Sequence, residues 1–372
     1  MRHGGMVAAQ VTGHGRAHGP RPEVRLASYD LLVYVVENLT SIGGGLDVRG
    51  DLSRRRLLGA GVSAAGLLAA GACGTPAAPP AGGPRRSVTH ALGVTDVPVT
   101  PQRVVSLDSN AALQVSLELA APLIASETLG GDVPVPGYLP APPAGFERLG
   151  FNELNLEKLA ALRPDLIIGN TARLTEKYAS LSAIAPTVAY RNAGTGVDWR
   201  DSVRLVGDVL GAAPEIDKRL TTYAERVRDI STRHATALQG RTFTLLRFNT
   251  SELRIVRAGI FGSSVLTHVG ARRAPSTDLP GENATYLSLS EETVSTVADA
   301  DVILYFVGGG DSSTTARDTF DRYTGGGLWG RLPAVAGGRA IEIDPIAWWD
   351  GYSVSAGLAC LDQLDAALTR LS

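Results

Sequence analysis

The chain has 372 residues, 44% of them hydrophobic and 19% charged, with a formal net charge of −2 at pH 7. That length holds one large or two medium domains, and a charge so near balance excludes the basic footprint of a nucleic-acid binder. Lysine occurs only at Lys158, Lys177 and Lys218; with the wealth of Ala and Gly, this reads as base composition of the coding sequence and not as function.

Residues 1–52 form a His- and Gly-rich leader that matches no structural element. Methionine occurs only at Met1 and Met6, and translation is expected to start downstream, near Val48. Residues 53–72 read as a signal peptide. Arg54, Arg55 and Arg56 precede an apolar run from Leu57 to Ala72, which is short of the ~20 residues a spanning helix needs. A charged start, an apolar middle and small residues at the end are the pattern of a twin-arginine export signal. Ala70-Gly71-Ala72-Cys73 resembles a bacterial lipobox, implying cleavage before Cys73 and a thioether-linked lipid on its sulfur; the plainer alternative is a buried Ala-rich helix. Residues 73–100, dense in Pro, Gly and Ala up to Arg86, are expected to be a flexible tether. The second cysteine, Cys360, stands in the apolar stretch Gly357–Leu361 and is predicted to be a core residue.

Two stretches with the same pattern follow. In 101–197, Arg103–Leu107, Leu123–Ala125, Asp165–Gly169 and Thr187–Tyr190 read as short apolar strands, alternating with helical runs at Ala111–Leu119, Leu156–Leu162 and Thr175–Ile184. In 240–372, strands are predicted at Thr242–Phe248, Leu253–Val256, Val302–Val307 and Ala340–Ile343. Helices are predicted at Ser264–Val269, Glu291–Val297 and Val354–Leu371. Between them, 198–239 keeps helical periodicity almost unbroken; Gly211-Ala212-Ala213-Pro214 interrupts it, Pro214 fits the first turn of a second helix, and the stretch is expected to act as one long helical connection. The fold class is therefore α/β: two lobes with parallel-type sheets flanked by helices, joined by a long backbone helix.

Several pieces, in order, resemble the helical-backbone substrate-binding proteins of ABC importers for iron siderophores, haem and cobalamin. They are Pro101–Leu107, Asn155–Leu159 leading into Pro164–Ile168, Leu287–Leu289, Ala300–Ile303, Trp329–Val335 and the closing Trp-Trp and helix. No piece is specific alone; their collinearity over Pro101–Leu371 carries the resemblance. It implies a monomer, held at the outer face of the cytoplasmic membrane by its lipid, that delivers a ferric siderophore to the permease subunits. It implies no resident cofactor, the metal being cargo. It also implies one surface glutamate per lobe for docking on the permease, at Glu157 and at Glu292, with Glu291 adjacent. The plainer reading of Glu157 is an acidic residue at a helix start.

Ligand in such a fold meets the loops at the carboxyl ends of the strands. Asp108-Ser109-Asn110 is the first such loop, with helix capping as the alternative; Asn152 belongs to a second rim. Arg247 stands inside an otherwise apolar strand, where a guanidinium is costly unless it reaches a cleft or an acidic partner, and its forked donors suit the oxygens of an anionic chelate. Arg254 and Arg257 are weaker candidates. Trp348 and Trp349, in a loop after Ile341–Asp344, cannot easily both be core, so one is expected to line the cleft with Tyr286; Phe306 reads as core. The histidines His90, His234 and His268 show no cluster for a direct metal site and no nucleophile–base spacing. Two alternatives stay open: haem or cobalamin on the same fold, with Tyr286 or Tyr352 as a haem ligand, and an exported hydrolase.

Overall fold

The computed structural model describes residues 83–130, 134–150, 154–192, 197–281, 284–309 and 313–371. The leader, the export signal, Cys73 and Asn152 lie outside these residues.

The expected tether is structured from Arg85 onward. β1 (Arg85–His90) and β2 (Gly93–Pro98) pair antiparallel, turning at Gly93, whose φ of +137° favours glycine. Val88 and Val97 are buried. Thr95 joins the hairpin to the first lobe: its hydroxyl meets Tyr178 Oη at 3.1 Å and His90 Nε2 at 2.9 Å. Alternate apolar residues give the hairpin one face to bury, which a tether does not have.

The first lobe carries β3 (Val104–Ser106), α1 (Ala111–Glu118), β4 (Leu123–Ser126), β5 (Glu147–Arg148), α2 (Leu156–Ala161), β6 (Leu166–Asn170), α3 (Thr171–Leu174), α4 (Tyr178–Ser182) and β7 (Thr187–Tyr190). Its five strands lie in the order β5-β4-β3-β6-β7, all parallel. Every residue of β6 is buried, as a parallel sheet covered on both faces requires. Asp165 fixes the register at the strand entrances, its carboxylate accepting from Gln102 N at 2.7 Å and Arg103 N at 2.9 Å.

The 198–239 stretch is three helices and not one: α5 (Trp199–Val209), α6 (Ala213–Arg233) and α7 (Ala235–Gly240). α5 folds back along α6. The rings of Trp199 and Tyr223 lie 5.2 Å apart, Arg204 Nε reaches Asp217 Oδ1 at 3.4 Å, and a Cβ on Gly207 would lie 2.7 Å from the Ile216 side chain. The reversal occurs at Gly211, with φ +76°, and Pro214 falls in the first turn of α6 as its missing N–H allows. Only α6, about 30 Å at 1.5 Å per residue, makes the crossing.

The second lobe carries β8 (Thr242–Phe248), β9 (Leu253–Val256), α8 (Phe261–His268), β10 (Arg272–Arg273), β11 (Tyr286–Leu289), β12 (Val302–Val307), α9 (Ser313–Gly325), α10 (Pro333–Ala336), β13 (Ala340–Glu342), α11 (Pro345–Trp349) and α12 (Val354–Arg370). The main strand order is β11-β9-β8-β12-β13, with β10 beside β8; β8, β12 and β13 run parallel, while β9 and β11 run antiparallel to their neighbours. Glu291 to Thr293 form a turn, and the helix predicted there is a 3-10 segment at Val294–Asp299. One core runs from Val104 and Leu166 in the first sheet through α1, α5 and α6 to Leu245 and Leu304 in the second. α12 closes on α6, where Asp365 takes Arg233 Nη1 at 2.7 Å and His234 Nε2 at 2.7 Å. Cys360 is fully buried, as expected. Among the described residues no helix is long and apolar enough to cross a membrane.

Candidate ligand-binding site

A cavity of about 500 Å³ lies between the lobes, within the range of small-molecule sites. The first lobe lines it at strand ends: Asp108, Ser109 and Asn110 after β3, Leu129 and Gly130 after β4, Asn170 and Arg173 at β6 and α3, and Asn192 after β7. The second lobe supplies Arg247, Ile260, Phe261, Thr285, Gly309 and the run Trp349 to Tyr352.

Asp108 is 1% exposed. Its carboxylate accepts from Tyr190 Oη at 2.7 Å, Asn170 N at 2.8 Å, Asn110 N at 3.0 Å and Ala112 N at 3.3 Å. Burial pushes it up to about 6, against the pull of these donors. Asp108 therefore does both things the sequence allowed: it satisfies the first turn of α1 and stands in the cavity wall. Asn110, at the cap position itself, makes no side-chain cap bond.

Arg247 is 6% exposed and held by the backbone beyond β12: Nε donates to Gly308 O at 2.8 Å and Nη2 to Gly309 O at 2.7 Å. Its guanidinium carbon sits 3.9 Å from the Trp349 ring centroid, a desolvated cation–π contact. Burial lowers its pKa to about 10, so it stays cationic at neutral pH. Gly309 has φ +86°, and a Cβ there would lie 3.2 Å from Trp349 Cβ; glycine is what lets carbonyl, guanidinium and indole stack.

Trp348 and Trp349 belong to a helix, α11, capped by Asp344, which accepts from Ile346 N at 2.9 Å. Successive residues of a helix point about 100° apart, so the pair divides. Trp349 lines the cavity, while Trp348 is fully buried and donates to Gln363 Oε1 at 3.2 Å. Trp348 is thus a core residue and not a cleft residue. Tyr286 is also corrected: its ring lies under Arg254 at 3.8 Å, and the neighbouring Thr285 lines the cavity instead. Arg254 is paired with Glu252 at 2.6 Å, and Arg257 Nη1 donates to Leu279 O at 2.7 Å. Phe306 is core, as read. Among the described residues no group of His, Cys, Asp or Glu is arranged to hold a metal ion.

Sequence reasoning missed Arg173, Asn170 and Asn192. Asn170 caps α3, its side chain accepting from Arg173 N at 3.1 Å. Arg173 and Arg247 are the cations among the described lining residues, one from each lobe. The signal for Arg173 was its place just past a buried strand, the criterion that found Asp108.

Residues 114–347 match the periplasmic binding protein family. The chain belongs to that family. A relative, "Probable siderophore-binding lipoprotein YfiY" of Bacillus subtilis, is 31% identical over 289 residues, covering 75% of this chain and 86% of the relative. The crystal structure of Staphylococcus aureus SirA complexed with staphyloferrin B superposes with a TM-score of 0.65 at 26% identity, covering 76% of this chain and 98% of that one. Iron-uptake system-binding protein FeuA of Bacillus subtilis, 16% identical, gives a TM-score of 0.65 over 76% of this chain and 100% of its own, a likeness of fold.

The two glutamates singled out for docking in this periplasmic binding protein are both exposed. Glu157 lies in the first turn of α2, which Asn155 caps by accepting from Lys158 N at 2.9 Å. Glu291 is tied to Arg322 at 2.8 Å, whereas neither Glu157 nor Glu292 is ion-paired with another described residue. Glu291 and Glu292 are both exposed, and of the two only Glu291 is ion-paired among the described residues.

Proposed function

We propose that this chain is the substrate-binding component of an ABC importer and that it captures an anionic ferric siderophore between its lobes. The observation that carries this reading is the pair of arginines, Arg173 and Arg247, lining one cavity from opposite lobes. Carboxylate, hydroxamate or catecholate oxygens of a ferric chelate are drawn to both guanidinium charges, and Trp349 supplies an aromatic wall. Relatives named for siderophore binding support the substrate class. The family is one of transport proteins and not of enzymes, and iron here is cargo. Glu157 and Glu292 dock the loaded protein on the two permease subunits, each a weak, solvent-exposed contact that sets register more than affinity. Export by the twin-arginine route, a lipid on Cys73, anchorage at the outer face of the cytoplasmic membrane and a monomeric state complete the proposal; relatives named as lipoproteins support the anchored form.

Haem binding is disfavoured on chemistry. Among the described lining residues Tyr352 is the sole His or Tyr, and burial raises its hydroxyl above the ordinary phenol range, opposing the phenolate that axial ligation needs.

The test is tryptophan fluorescence of the purified protein titrated with ferric citrate, ferric staphyloferrin B, a ferric hydroxamate, a ferric catecholate, haem and cobalamin. Saturable quenching by an anionic ferric chelate, weakened in Arg247→Ala, is the expected result. Tight binding of haem or cobalamin alone, or of nothing, overturns it.

A further inference from the structure

Behind the first-lobe wall stands a carboxyl that ligand binding as described above does not use. Strands β4, β3 and β6 are neighbours, and their carboxyl ends deliver Glu127, Asp108 and the α3 residue Arg173 side by side. Glu127 is 4% exposed and is not part of the cavity lining, whereas Arg173 is. Glu127 Oε2 lies 3.5 Å from Arg173 Nε and accepts no hydrogen bond from another described residue. Among the described residues three charged groups face it: Arg173 from α3, Asp108 from the loop after β3, and Lys177 from the turn before α4. Burial pushes the Glu127 carboxyl up to about 7; Arg173 draws it down, Asp108 raises it further and Lys177 draws it down. Asp108 has four donors of its own.

We propose that Glu127 is a counter-ion that positions Arg173 for an anionic ligand, and that it takes up a proton from solvent when that ligand is bound. The inference rests on the function proposed above. A buried carboxylate is tolerated while a cation stands against it. When a chelate oxygen takes the guanidinium, Glu127 loses its nearest compensation and faces added negative charge across Arg173. Protonation on Glu127 relieves both, and no bond within the chelate is made or broken. Glu127 then works as a positioning residue: it holds the guanidinium at the wall in the empty protein and withdraws its charge in the loaded one.

Isothermal titration of the full chain with ferric citrate and with ferric staphyloferrin B, at pH 7 in two buffers of different ionisation enthalpy, measures the proton directly. Wild type should take up about half a proton more than Glu127→Gln, and its Kd should rise roughly tenfold from pH 6 to pH 8 relative to that variant. Titration of the chelate itself is common to both proteins and cancels. Infrared difference spectra of the wild type give a readout that needs no variant: binding should raise the protonated-carboxyl band at the expense of carboxylate. Equal proton uptake in the two proteins, or no gain in that band, overturns the proposal. If neither chelate binds, the function proposed above fails for them, and ligand-free titration decides the coupling. Arg173→Gln should then raise the Glu127 midpoint, and an unmoved midpoint overturns it.

Discussion

Arg247→Lys keeps a positive charge at the cavity wall and removes only the fork. In the native site Nε and Nη2 each hold a carbonyl, at 2.8 and 2.7 Å, while the guanidinium plane covers Trp349. A lysine ammonium reaches one of those carbonyls at best. One charge-assisted hydrogen bond lost from a buried site costs roughly 1.5–3 kcal/mol, and the planar stacking another ~0.5–2 kcal/mol. With some recovery from the remaining bond, we expect unfolding free energy to fall by about 2–4 kcal/mol, a large part of the 5–15 kcal/mol typical of a domain. Ferric-chelate affinity should fall on the order of tenfold to a hundredfold, since a point charge cannot hold the Gly308–Gly309 backbone and the Trp349 ring in place at the cavity wall. Urea denaturation followed by circular dichroism gives the first quantity and tryptophan quenching the second. A Lys variant that unfolds at the wild-type urea midpoint and binds with wild-type affinity would refute the account of the fork.

The two adjacent tryptophans should part company. Trp349→Ala should abolish most of the chelate-induced quenching and weaken binding, while Trp348→Phe should leave the Kd within about twofold and lower stability by roughly 1–3 kcal/mol, through a cavity and a lost bond to Gln363. Asp365 titrates below the ordinary carboxylate range, held down chiefly by Arg233 and also by His234 and Arg226. Its folded pKa is depressed, so its contribution is whole above the unfolded value and lost as pH falls through the folded one. Asp365→Asn should therefore be less stable than wild type at pH 7 in thermal melts, the two curves converging in strong acid. A Glu157→Arg, Glu292→Arg double variant should bind chelate with unchanged affinity and fail to support iron uptake in cells; normal uptake would remove both residues from the docking role.

What the sequence made legible depended on contrast. Arg247 stood out because its neighbours in β8 are apolar, so a charge there demanded a reason. Arg173 carries the same kind of group to the same cavity, but it sits in a polar stretch from Asn170 to Lys177, where an arginine needs no explanation. Trp348 and Trp349 were correctly judged unable to share one environment, yet only the α11 backbone assigns which ring turns inward. The hairpin at Arg85–Pro98 escaped notice because Val88 and Val97 are too few to stand out beside a Pro- and Gly-rich run. The apolar spacing over 198–239 is that of an amphipathic helix throughout, and α5 and α6 both have such a face. Their reversal hangs on the left-handed backbone of Gly211, where the sequence showed an interruption and no direction of turn. Tyr286 looked available until its cross-sheet neighbour Arg254 was seen to cover it.

The doubled helix between the lobes has a consequence for timing. α6 is gripped on one side by α5, which enters from the first lobe, and on the other by α12 of the second lobe. A span braced from both sides resists bending, so we expect the mouth between the lobes to stand ready in the empty protein. Capture then waits on diffusion and not on a slow closure, and differences in affinity among chelates should appear as residence times. The same stiffness should keep the distance between Glu157 and Glu292 nearly constant whether the protein is empty or full. An importer that grips both points, as proposed above, would learn little from their separation and would have to sense cargo through the surfaces at the mouth itself.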